Sequence, residues 1–137
     1  MLRLTRPVYA QIVAHCLDGV PLEACGLLGG TAVGRTTAQA LVCYPAANDA
    51  ASARIYTVNP RDHLKADRDA EDRGLEIIGV FHSHTHTEAY PSPTDVAQAP
   101  DPGWHYVLVS LRAEPVLRSY LIEDGNISEE HVVLEGR

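Results

Sequence analysis

One stretch constrains this chain more than any other: the apolar run Ile77-Ile78-Gly79-Val80-Phe81, followed at once by His82-Ser83-His84. The run reads as a buried strand, and residues two apart on a strand point to the same face. Two imidazoles therefore leave one strand end in the same direction. Eight residues beyond His84 stands Ser92-Pro93-Thr94-Asp95. The Asp95 carboxylate is the hard, anionic third ligand that a two-histidine site needs for a divalent ion. The pattern H-x-H-x7-S-x-x-D predicts an open, three-ligand zinc site.

Each part also has a plainer reading. Ser92-x-x-Asp95 before a helix has the form of a capping box, with Asp in place of Glu or Gln. A lone histidine at a strand end is usually structural or exposed. The metal reading rests on the parts occurring together, joined by a loop short enough to fold the helix start back beside the strand end. His86 keeps the parity of His82 and His84. It falls in the following loop, however, and a fourth protein ligand would close the site, so it reads as a rim residue. His15, His63 and His131 have only surface or packing readings, and His105 reads as a satisfied buried histidine.

Composition narrows the rest. A chain of 137 residues is expected to be one domain, 1–137, with a core that needs no structural metal. The net charge is −7 and no basic stripe is present, which argues against nucleic acid as a partner. Cys16, Cys25 and Cys43 are widely spaced and form no C-x-x-C pair, as expected of reduced thiols in a cytoplasmic protein. No apolar run reaches membrane-spanning length, and the amino-terminal residues lack the apolar core of a signal peptide.

Along the chain, Pro7 opens a helix whose apolar face is Val8, Ile12, Val13, Cys16 and Leu17, ended by Asp18-Gly19. Strands are expected over 21–30, with Glu23 at its start, and over Ala38–Tyr44, Ile55–Val58, His105–Leu111, Val116–Glu123 and Ile127–Leu134. The segment 45–54 reads as an exposed loop. Asn59-Pro60 opens a charged helix running to Gly74, anchored by apolar residues such as Leu64, and a short helix spans Pro93 to Ala99. The fold class is α/β or α+β: a central mixed sheet of about six strands, two main helices and a short one.

Two imidazoles and one carboxylate leave a divalent ion room for water, whose pKa it brings to about 7. Amide hydrolysis at such a site also needs a general base. Glu88 lies inside the motif and Glu23 on another element; spacing alone does not choose between them. The residues P-L-E-A-C-G-L-L-G-G around Glu23, then G-V-F-H-S-H and Y-P-S-P-T-D, resemble the JAMM (MPN-plus) metalloprotease domain over nearly the whole chain.

That resemblance implies Glu23 as general acid/base, zinc on His82, His84 and Asp95, and Ser92 as a donor to the oxyanion. It implies a cytidine-deaminase-like mixed sheet flanked by helices, with the zinc site near one edge. The wording H-S-H-T-x-T-E-A-Y-P-S-x-T-D, with H-Y-V-L-V-S and L-R-S-Y, is most similar to the bacterial Mec type. The implied partner is a ubiquitin-like sulfur-carrier protein ending in Gly-Gly, from which cysteine or another carboxyl-terminal residue is released. Two rival readings stay open: a processing peptidase for a carrier precursor of secondary metabolism, and a non-catalytic MPN interaction scaffold. Whether the chain forms a homodimer stays open as well.

Overall fold

The computed structural model describes residues 1–34 and 36–136. Its elements in order are β1 (Leu2–Thr5), α1 (Arg6–Gly19), β2 (Cys25–Val33), β3 (Thr37–Ala46), α2 (Pro60–Asp72), β4 (Glu76–His84), α3 (Pro93–Ala97), β5 (His105–Ser110), β6 (Val116–Glu123), β7 (Asn126–Glu130) and β8 (Val132–Glu135). All the strands join one mixed sheet of eight, ordered β7-β6-β5-β4-β2-β3-β1-β8. β4 and β5 pair in parallel, as do β1 with β3 and β1 with β8; the other pairs are antiparallel.

The helices begin where the sequence places them. Thr5 caps α1 with its hydroxyl on Val8 N, Asn59 caps α2 and Ser92 caps α3, and each cap is followed within two residues by proline. Val8, Ile12 and Cys16 carry α1 onto one face of the sheet, against Leu2, Leu4, Leu28 and Phe81. On the other face Ala66 of α2 packs with Leu27, Val80, Tyr106 and Leu108. Adjacent Leu27 and Leu28 divide between the two clusters, so the helices cover opposite faces. The α2 anchor differs from the expected one: Leu64 is half-exposed, and the small side chains of Ala66 and Ala70 let the helix backbone lie close to the sheet.

The sheet has eight strands where about six were expected. The residues Leu2 and Leu4, too few to signal a strand alone, are fully buried in β1. The expected strand Ile127–Leu134 divides at His131. β7 completes a hairpin with β6, whereas β8 runs parallel to β1, with Leu2 N donating to His131 O at 2.9 Å. One residue thus joins the two edge strands, so the sheet curls until its edges approach. Ile55–Val58 is not a strand: only an isolated bridge, Asn48 to Val58, forms there.

Candidate active site

β4 is a central strand, so its histidines lie at the end of a central strand rather than at a lateral edge of the sheet. Its alternation slips once, opposite Leu28 and Gly29, which sets Ile77 and Val80 toward the α2 cluster and Ile78 and Phe81 toward the α1 cluster. From Val80 onward the period of two carries His82 and His84 to the α2 side. His82 stacks on Tyr56, with ring centroids 4.1 Å apart and planes 21° apart. The His84 ring stands at 66° to it, 5.1 Å away.

The third group arrives through the capping box. Ser92 Oγ accepts from Asp95 N at 3.1 Å, and Ser92 N donates to Asp95 Oδ2 at 2.9 Å. The same Oδ2 lies 2.9 Å from His84 Nε2 and 3.2 Å from His82 Nε2. One potential ligand atom from each of the three residues lies within 4.8 Å of the others, and no side chain of the three is more than 5 % exposed.

These groups fit a divalent metal. His84 Nδ1 faces Glu88 O at 2.9 Å and can only donate there, which directs the Nε2 lone pair at the Asp95 carboxylate. Two electron-rich atoms at that separation call for a cation or proton between them. His82 Nε2 is buried without an aligned hydrogen-bond partner. Burial lowers the His82 pKa and so favours the neutral, ligating imidazole. Burial opposes ionisation of Asp95 too, yet the histidines and Ser92 N–H outweigh it and hold the carboxyl far below its usual range. For His84 the bonds to Asp95 and to Glu88 O overcome burial and raise the pKa.

Glu23 enters from the segment leading into β2. Its N–H donates to Ser52 O at 2.8 Å and its carbonyl accepts from Asn48 Nδ2 at 2.9 Å. The next residue is tied to β4: Ala24 N donates to Ser83 Oγ at 2.9 Å, and Ser83 N to Ala24 O at 3.0 Å. Glu23 is 4 % exposed, and its Oε1 has no hydrogen-bond partner among the described residues. Burial raises its pKa to about 7, with His84 opposing and Asp95 adding to the rise. Glu23, His84 and Ser92 line one cleft of about 390 Å³, with Arg54, His86 and Thr87 along its wall.

The structure thus brings His82, His84 and Asp95 together and sets Glu23 and Ser92 in the cleft with His84. Exposed His86 sits on its wall. Glu88 contributes its carbonyl to His84, while its side chain is exposed and lines another hollow with Arg118 and Glu129. His105 is satisfied, its Nδ1 2.6 Å from Glu130 Oε2. Asn48, Ser52 and Tyr56, which hold Glu23 and His82 in place, belong to no sequence motif. The one local signal was Asn48 itself, whose Oδ1 accepts from Ala50 N in a turn that Asn favours.

The chain matches the family of prokaryotic homologs of the JAB domain over residues 5–123. It is 42% identical over 124 residues to the CysO-cysteine peptidase of Mycobacterium tuberculosis, a match covering 88% of this chain and 82% of the relative. It is 32% identical over 105 residues to the desampylase of Haloferax volcanii, covering 73% of each. The solution structure of a protein from Desulfitobacterium hafniense, 35% identical, superposes with a TM-score of 0.91 over 100% of this chain and 94% of the other. With the motif residues inside the matched span and the fold shared from end to end, the chain belongs to the JAB (JAMM/MPN) family in its prokaryotic branch.

Proposed function

We propose that residues 1–137 act as one cytoplasmic domain, a zinc-dependent peptidase that hydrolyses the amide bond after the carboxyl-terminal Gly-Gly of a ubiquitin-like sulfur-carrier protein. The residue released is cysteine or another single amino acid. One observation carries the reading: three convergent, buried ligand groups share a cleft with a buried, unpartnered carboxylate. Its similarity to two relatives, a CysO-cysteine peptidase and a desampylase, supports it.

His82, His84 and Asp95 would hold the zinc. When bound, it supplies Lewis-acid polarisation of the scissile carbonyl and acidifies a water beside it. Glu23, with a pKa near 7, takes a proton from the attacking water and passes it to the amide nitrogen. The C–N bond breaks, the carbonyl carbon keeps the water oxygen, and the amine leaves carrying the proton. Ser92 Oγ accepts from Asp95 N through one lone pair and donates to no group among the described residues, which leaves its O–H to donate to the developing oxyanion. Two glycines before the scissile bond have no Cβ to hold the substrate backbone off the cleft wall.

The test is the mass of a carrier ending Gly-Gly-Cys after incubation with the protein. Loss of one cysteine residue by wild type, and no loss with Glu23→Gln, is the expected result. An unchanged carrier with wild type, or full turnover by Glu23→Gln, would overturn the assignment.

A further inference from the structure

The segment 48–58 is irregular, yet it is stitched to the candidate site from both sides. Ser52 O accepts from Glu23 N at 2.8 Å, and Ser52 Oγ accepts from Arg54 N at 3.0 Å and from Ile55 N at 3.3 Å. Asn48 Nδ2 donates to both Glu23 O and Ile55 O, at 2.9 and 3.1 Å. Thr85 Oγ1 donates to Ala53 O at 3.5 Å, and Tyr56 stacks on His82. The backbone at Arg54 is therefore fixed relative to Glu23 on one side and to His82 on the other. Arg54 lines the cleft. The arginine ion pairs among the described residues are made by Arg3, Arg73 and Arg118, and Arg54 makes none.

An exposed arginine on the wall of this cleft, without an ion pair among the described residues, meets a specific chemical need. The chain carries a net charge of −7, and the site is built around the carboxylates of Glu23 and Asp95. An amino acid released from a carboxyl terminus is itself anionic, and its α-carboxylate is separated from the leaving nitrogen only by Cα. Zinc on His82, His84 and Asp95 would be engaged by those ligands, a water and the scissile carbonyl, which leaves that group to a cation on the wall. Arginine matches a carboxylate with two parallel N–H bonds. An isopeptide substrate, in which the amide nitrogen belongs to a lysine side chain within a protein, presents no carboxylate at that place.

We propose that Arg54 binds the free α-carboxylate of the leaving residue and so makes the site selective for carriers extended by a single amino acid over isopeptide conjugates. The proposal rests on the hydrolase reading above and assigns the specificity of that same site.

The test uses a ubiquitin-fold carrier with a synthetic Gly-Gly-Cys terminus, prepared as the free acid and as the carboxamide. kcat/KM is measured on both for wild type, Arg54→Gln and Arg54→Lys. Wild type should favour the acid by about tenfold or more, the worth of a hydrogen bond to a charged group. In Arg54→Gln the acid-to-amide ratio should fall to about one, and Arg54→Lys should lie between, since an ammonium keeps the charge without the fork. A wild-type ratio retained in Arg54→Gln, even with slower turnover overall, would show a structural role and overturn the assignment. Wild type cleaving both substrates alike would overturn it while leaving the hydrolase reading intact. Cleavage of neither would overturn both.

Discussion

At the residue scale, Glu23 joins two conflicting demands. Its burial costs folding free energy, and the same burial brings its pKa to about 7, where a proton shuttle at neutral pH works best. A carboxyl whose folded pKa is raised binds its proton more tightly folded than unfolded. Its stabilising contribution is therefore complete below the unfolded value of 4.5 and is lost as pH rises through about 7. At 1.36 kcal/mol per pKa unit that loss is about 3 kcal/mol. In metal-free protein, the urea stability of Glu23→Gln relative to wild type should rise by up to that amount between about pH 4 and about pH 8. A gap flat with pH would show that Glu23 has an ordinary pKa. The same substitution should cut turnover about a hundredfold to ten-thousandfold, the worth of a general acid/base. His82, His84 and Asp95 were legible in the sequence because a period of two and a capping box are local rules. Glu23 was not legible from spacing, since the contact that docks its segment on β4, from Ala24 to Ser83, spans 59 residues.

At the element scale, the site depends on how closely β2 and β4 approach and on how α3 begins. A Cβ on Gly26 would overlap the Phe81 ring and the Tyr44 carbonyl oxygen, and Phe81 is followed directly by His82. Gly26→Ala should therefore destabilise the fold by about 1–3 kcal/mol, read from the denaturant midpoint, and weaken metal retention. An unchanged midpoint would mean that Phe81 moves aside freely. Ser92→Ala removes the cap of a five-residue helix and, with it, the donor assigned to the oxyanion. It should cost about 1 kcal/mol of stability and about a hundredfold or more in kcat. A loss of stability with kcat intact would confine Ser92 to its cap. The helix starts were legible through Pro7, Asn59-Pro60 and Ser92. β1 and β8 were not, because each is four residues long and gains its stability from partners distant in sequence. The path of 48–58 escaped notice for a related reason: its order comes from Asn48 and Ser52 hydrogen bonds, which leave no periodic mark.

At the scale of the whole molecule, the curled sheet separates two cores and brings three chain segments to the end of β4: the lead into β2, segment 48–58 and the start of α3. The three cysteines belong to these cores. Burial pushes the thiols of Cys16, Cys25 and Cys43 up to about 12, so none should act as a nucleophile. Native protein should resist a thiol reagent at neutral pH, and all three should react in denaturant; fast native labelling of Cys25 would show that the segment beside Glu23 opens. The proposed hydrolysis needs a zinc on His82, His84 and Asp95. Its most direct test is metal content and carrier–cysteine hydrolysis measured on the same samples: as purified, after chelation, and after zinc is restored. The expected result is about one zinc per chain as the three-ligand site requires, loss of both zinc and turnover with chelator, and recovery of both together. Full hydrolysis by the zinc-free protein would contradict it.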